Sequence, residues 1–258
     1  MRALGVDIGG SGIKAAPVDV TTGKLLAERQ KLETPEPATP KAVAEVVAEL
    51  ARSFNWSGTV GLTFPGVVVD GITYTAANVD HAWIGLDARA LLAEATRLEV
   101  SVINDADAAG MAEMAFGAGK SVAGTVLMLT LGTGIGSALF TEGTLVRNTE
   151  FGYLQMHGTD AEKRASEHLR ERRQMSWDKW AGRVDEYLQY LEALLCPRLI
   201  ILGGGVSRKS DKFVSRLTGL RAQVVPAAMH NDAGIVGAAM HACARRAEYK
   251  RDGGHPSG

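Results

Sequence analysis

The 258-residue chain is 46% hydrophobic and carries 28 basic against 29 acidic residues, enough for one large or two modest domains and too balanced to recruit nucleic acid or an anionic membrane through its overall field. Any anionic ligand must therefore be held locally. Two cysteines exclude a disulfide framework or multi-thiolate metal site, and no signal-like apolar core or membrane-length run occurs, which points to a cytoplasmic chain with no membrane partner.

The composition departs from the ordinary in glycine, 30 residues in all, and the glycines gather in strand-ending turns. In chain order, Leu4–Ile8 leads into Gly9, Gly10, Ser11 and Gly12, after which Ile13–Val20 reads as a second strand. Thr39 caps a helix opened by Pro40, with Val43, Val46, Val47 and Leu50 on one face. Gly58–Thr63 and Val100–Ile103 read as strands, and Leu86–Leu98 and Asp105–Phe116 as helices. Val126–Leu131 runs into Gly132, Thr133, Gly134 and Ile135. Helices follow over Asp160–Arg173 and Ser176–Leu195, then a strand Leu199–Leu202 ending in Gly203, Gly204 and Gly205, and a last helix Asn231–Arg246. Such alternation implies an α/β protein. A shift of 122 positions lays Gly10–Ala16 over Gly132–Ala138, so one strand-turn-strand unit is used twice, in two related halves facing each other across a cleft.

Some familiar patterns fail. Gly117-Ala118-Gly119-Lys120-Ser121 lacks the first glycine of a P-loop, because position 114 is Met. Gly10–Ala15 matches a dinucleotide turn, yet a strand continues where that fold needs a helix. The six histidines show no metal-ligand spacing, so zinc is not expected.

Between the glycine turns, Val100–Ile103 delivers Asn104 and Asp105 to a strand's carboxyl end, the usual ligand position in an α/β sheet. An isolated Asp there most often caps the helix. Beside turns with bare backbone amides, the same carboxylate suits phosphoryl transfer, which needs a donor cradle, a divalent cation and a group that deprotonates the acceptor. Asp7 is placed for the cation, Mg2+, directly or through water; alternatively it bonds its own turn. Ser11, Thr133 and Lys14 can add donors to phosphate, unless Lys14 points to solvent from its strand.

Asp7–Lys14, Asn104-Asp105-Ala106, Leu131–Gly136, Glu150-Phe151-Gly152 and Leu202–Gly205 together resemble the ROK-type sugar kinases of the actin-like ATPase superfamily. Thr34–Pro40, Asp160–Ser166 and the missing cysteine cluster bring the chain nearest to the members that phosphorylate glucose from polyphosphate. The resemblance implies an actin-like (ribonuclease H-like) two-lobed fold with an interlobe cleft: a small lobe over 1–104, completed by a helix over 234–248, a large lobe over 105–233, and a disordered tail over 249–258. It implies phosphorylation of glucose at the 6-hydroxyl with polyphosphate, and ATP as an alternative donor, by a homodimer. Asp105 would be the catalytic base, and Gly66, Asn78, Asn104, Glu150 and Glu162 would bind the sugar. The donor would lie on Asp7, Gly9, Gly10, Ser11, Lys14, Gly132, Thr133, Gly134, Gly203, Gly204 and Gly205.

One departure is Tyr153, where family members carry a sugar-contacting His; a tyrosine hydroxyl can still donate one hydrogen bond. For the donor track, basic residues outnumber acidic ones seven to five over 160–183, a mixture that is more usually the mark of a solvated helix face with internal ion pairs. Rival readings are an ATP-only hexose kinase of other specificity and a catalytically weak sugar-binding protein. A sugar-responsive repressor would need a helix-turn-helix for which nothing before Asp7 leaves room.

Overall fold

The computed structural model describes residues 1–76 and 79–251, apart from the Lys250 side chain, and divides into two units, Met1–Ala112 with Asp232 onward and Glu113–Asn231. In the first unit, β1 (Arg2–Gly9) and β2 (Gly12–Asp19) form a hairpin across Gly10 and Ser11, with β3 (Lys24–Leu25) and β4 (Gln30–Leu32) on the outer edge of β2. After α1 (Pro40–Ser53), strand β5 (Val60–Phe64) pairs parallel with β1. A small hairpin, β6 (Val68–Val69) and β7 (Ile72–Thr73), and α2 (Ala88–Thr96) precede β8 (Val100–Asn104), which pairs parallel with β5. The path across the sheet is β3-β2-β1-β5-β8.

Helix α3 (Asp105–Phe116) begins in the first unit and ends in the second. There β9 (Thr125–Leu131), β10 (Ile135–Thr141) and β11 (Thr144–Val146) form an antiparallel meander. A short pair, β12 (Gln155–Met156) and β13 (Thr159–Asp160), leads to α4 (Glu162–Ala165), α5 (Glu167–Arg172) and α6 (Trp177–Leu195). Parallel strands β14 (Leu199–Gly203) and β15 (Gln223–Pro226) complete a sheet of order β11-β10-β9-β14-β15. Read strand for strand, this is the order of the first sheet. The repeat legible at a shift of 122 is therefore a duplicated sheet, with one more residue in the second hairpin loop: Gly9 pairs Gly12, whereas Leu131 pairs Ile135.

Each sheet has its own core. In the first, alternate residues Leu4, Val6 and Ile8 of β1 pack with Val43, Val47 and Leu50 of α1 and with Phe64, whose ring lies 5.0 Å from that of Trp83. In the second, Leu127, Leu129 and Leu131 pack with Trp180, Tyr187 and Leu188 of α6 and with Phe213. Thr39 caps α1, its hydroxyl accepting from the Ala42 amide. The single helix predicted over 160–173 is instead two. Ser166 adopts extended backbone and turns its hydroxyl to the Leu169 amide, so a cap interrupts the run, while Asp160 belongs to β13.

The last element among the described residues is α7 (Ala233–Arg251), which absorbs residues 249–251 of the expected tail; 252–258 lie outside the described residues. Helix α7 covers the face of the first sheet opposite α1, by way of glycines. A Cβ at Gly61 would stand 1.8 Å from the Ala238 carbonyl oxygen, and one at Gly237 would stand 1.7 Å from that of Ala108 in α3. Glycine inside a helix ordinarily weakens it by about 1 kcal/mol relative to Ala. Gly237→Ala should do the reverse and lower the midpoint of thermal unfolding, because backbone must move to admit the methyl group; a raised midpoint would refute this packing.

Candidate functional site

In the first unit, Asn104 ends β8 with both ends of its buried carboxamide engaged. Its Oδ1 accepts from the Asp107 amide at 3.0 Å and so caps α3, and its Nδ2 donates to the Gly66 carbonyl at 3.1 Å. The loop after β5 is pinned further by Thr75, whose hydroxyl accepts from the Val67 amide at 2.9 Å. Gly66 and Asn104, singled out from sequence, are thus brought together. Asn78 lies outside the described residues.

With Asn104 as the cap, Asp105 is the first residue of the helix and is left half-buried, one carboxylate oxygen accepting from the Ala106 amide at 2.8 Å. Burial, and then the charge of Asp7, push its carboxyl up to about 7. Asp7 and Lys14 are register partners on β1 and β2, and the Lys14 ammonium stands 3.6 Å from the Asp7 carboxylate. Lys14 therefore does not simply point to solvent. The Thr63 hydroxyl donates to the other Asp7 oxygen at 2.9 Å and accepts from the Ile8 amide. Residue types did not single out Thr63, although a polar residue near the end of the otherwise apolar, fully buried strand β5 was a signal. The first glycine turn is open: Gly10 and Ser11 are exposed, and a Cβ on Gly10 would meet nothing.

In the second unit, Gly132, Thr133 and Gly134 join β9 to β10, and Thr133 is exposed. Glu162 sits against this turn, accepting from the Ile135 amide at 3.3 Å, while the His168 amide donates to the Gly132 carbonyl. Glu150 is carried on a segment clamped to β10 by Ser137, a buried residue that the sequence reading passed over. The Ser137 hydroxyl donates to the Thr149 carbonyl at 2.6 Å and accepts from the Phe151 amide at 3.0 Å. Tyr153 ends that segment, 44% exposed. Its hydroxyl is held above its ordinary value by burial and then by Glu162 and Glu150, which places both carboxylates within electrostatic reach of Tyr153. Gly203 ends β14 and Gly204 and Gly205 follow it, with Gly204 at a φ of +83° beneath the Leu131 backbone.

The donor set suits Mg2+ better than a fully protein-ligated metal. Among the described residues no group of three or more His, Cys, Asp or Glu side chains could hold an ion. Mg2+ keeps waters and binds through one or two carboxylates with substrate phosphates, and the Asp7 carboxylate beside an open turn meets that need.

Comparison with known proteins agrees with the resemblance read from the residues. The model of the ROK family matches residues 3–166. A polyphosphate glucokinase of Mycobacterium tuberculosis (strain CDC 1551 / Oshkosh) is 52% identical over 240 residues, 93% of this chain and 90% of that protein. The crystal structure of an inorganic polyphosphate/ATP-glucomannokinase from Arthrobacter sp. strain KM superposes with a TM-score of 0.89 at 48% identity, over 95% of this chain and 99% of that one. A ROK family glucokinase from Streptomyces griseus, solved with glucose and AMPPNP, gives 0.82 at 26%, over 95% and 100%.

The raised Asp105 carboxyl has a thermodynamic signature. Between pH 3.8 and about 7 the folded chain binds a proton there that the unfolded chain has lost, so this residue's contribution to stability falls as pH rises through that window. Asp105→Asn keeps the acceptor for the Ala106 amide and removes the charge. Its unfolding midpoint should match that of the unsubstituted chain near pH 4 and exceed it at pH 8; equal midpoints at both values would show an unstrained carboxylate.

Proposed function

The chain belongs to the ROK family, and from that premise we propose that it transfers a phosphoryl group from inorganic polyphosphate or ATP to the 6-hydroxyl of glucose. Asp105 is the observation that carries this reading. A base works best with a pKa near the working pH, and Asp105 is a half-buried carboxylate at the end of a parallel strand with its affinity for protons raised to about 7. In the proposed step the hydroxyl proton passes to Asp105 as the sugar oxygen bonds to phosphorus. The bond between phosphorus and the rest of the donor breaks, and ADP or a chain shorter by one phosphate leaves.

Asn104 and the Gly66 segment would meet sugar hydroxyls from the first unit, with Asn78 part of the same proposal. Glu150, Tyr153 and Glu162 would do so from the second, since carboxylates and amides satisfy paired hydroxyls bidentately. Amides of Gly9, Gly10 and Ser11, of Thr133 and Gly134 in the turn that the Gly132 amide closes onto the Gly134 carbonyl, and of Gly203, Gly204 and Gly205, with Lys14, would face the phosphates. Asp7 would hold Mg2+, directly or through water, and the ion would neutralise charge on the donor. The names of the relatives support both donors and the sugar. A homodimer in the cytoplasm belongs to the same proposal; among the described residues no helix is long and apolar enough to cross a membrane.

Purified protein given glucose and Mg2+, with polyphosphate and ATP offered separately, should form glucose 6-phosphate, and kcat/KM should rise with pH to a plateau above about 7. Asp105→Asn should lower kcat by about 10² to 10⁴; near-normal turnover would remove it as the base. Tyr153→His should lower the KM for glucose, and a KM unchanged for every hexose would show that residue 153 does not face the sugar.

A further inference from the structure

The second unit holds a cavity of about 570 Å³ whose walls include Lys163, Arg164, Arg172, Arg173 and Arg183, with Glu162 as the only acid. Two of these cations are engaged, Lys163 with Asp160 and Arg164 with Glu186 at 3.1 Å. Arg172, Arg173 and Arg183 are different. Among the described residues none of the three has a carboxylate within ion-pair distance, and the Arg183 guanidinium reaches only the Arg164 carbonyl, at 3.4 Å. A solvated helix face with internal pairs, the bland reading of this stretch, leaves no reason for three unpaired guanidinium groups to share one hollow. Bringing like charges together costs free energy that a bound polyanion relieves.

The lining also says which polyanion. Leu169 is its one aliphatic residue and the His168 imidazole its one aromatic ring, on walls otherwise polar or charged, so a nucleoside base would gain little apolar contact there while phosphate oxygens would meet repeated positive charge. Repeated charge along a flexible chain, by contrast, matches guanidinium groups, which bind phosphate oxygens bidentately. Thr133 borders the same cavity. The hollow thus opens beside the Gly132–Gly134 turn, where the donor's reacting end would lie.

We propose that this cavity binds the stretch of a linear polyphosphate chain that trails behind the transferred phosphoryl group, and that Arg172, Arg173 and Arg183 give the protein its preference for long chains. This rests on the kinase reading above, and it assigns the track to side chains rather than to the protein's overall field, which at a net charge of −1 supplies nothing.

The test compares long-chain polyphosphate with tripolyphosphate, which is too short to extend from the turn into the hollow. Arg172 and Arg173 are exposed, so the double variant Arg172→Gln/Arg173→Gln should fold. A hydrogen bond to a charged group is worth roughly 1.5 kcal/mol or more, about tenfold in affinity. The ratio of kcat/KM for the long chain over tripolyphosphate should therefore drop about 100-fold in the double variant and about tenfold in Arg183→Gln. The fall of the long-chain value with added salt should also become shallower. An unchanged ratio and salt dependence would overturn the assignment while leaving the kinase reading intact. If the unsubstituted protein makes no glucose 6-phosphate from polyphosphate, that reading fails instead. Calorimetric titration of long-chain polyphosphate then decides the cavity without turnover: weaker binding by the double variant supports it, and equal binding refutes it.

Discussion

Both halves of one carboxamide set the geometry of the first unit. Asn104 has its oxygen on the amide of α3 and its nitrogen on the loop that follows β5, so a strand end, a helix start and a loop are fixed by a single buried side chain. With the cap position taken, Asp105 cannot satisfy itself as the cap. It is held half-buried near Asp7, and burial, then the company of a second carboxylate, appears as a raised affinity for protons. The capping reading and the proposed catalytic reading of Asn104-Asp105 therefore do not compete, because Asn104 does the capping and leaves Asp105 for the proposed role.

The duplicated sheet explains why the same glycine turn occurs once in each unit. Each copy turns back on itself at glycines after its first strand, but the copies have diverged in the side chains set against them. Lys14 faces Asp7 in one, while Glu162 leans on the turn in the other. One scaffold, used twice, presents different charge to whatever lies before it.

Strands, helices and their order were legible because buried apolar runs and glycine stops report directly on the backbone, as at Val100–Asn104 and Leu199–Gly203. The placement of Asn104 and Asp105 where a buried strand meets a helix, and of the glycine turns between strands, was legible as well, since those signals are local. What escaped was tertiary satisfaction. Ser137 owes its role to Thr149 and Phe151, and Thr63 to a strand more than fifty residues away. Nor could charge counting over 160–183 tell a paired arginine from an unpaired one. That difference depends on which side of a short helix each falls, and Ser166 resets the helical phase partway through the stretch.

Helix α7 is the last described element of the chain and covers β1, β5 and β8, strands made near its beginning. During synthesis the second unit, residues 113–231, leaves the ribosome whole before the helix that the first unit awaits. Until then the face of the first sheet bearing Gly5 and Gly61 stands open to water. The order of translation thus delays completion of the half that carries Asp105 until the whole second unit has been made, and a chain lacking α7 loses the cover over that half.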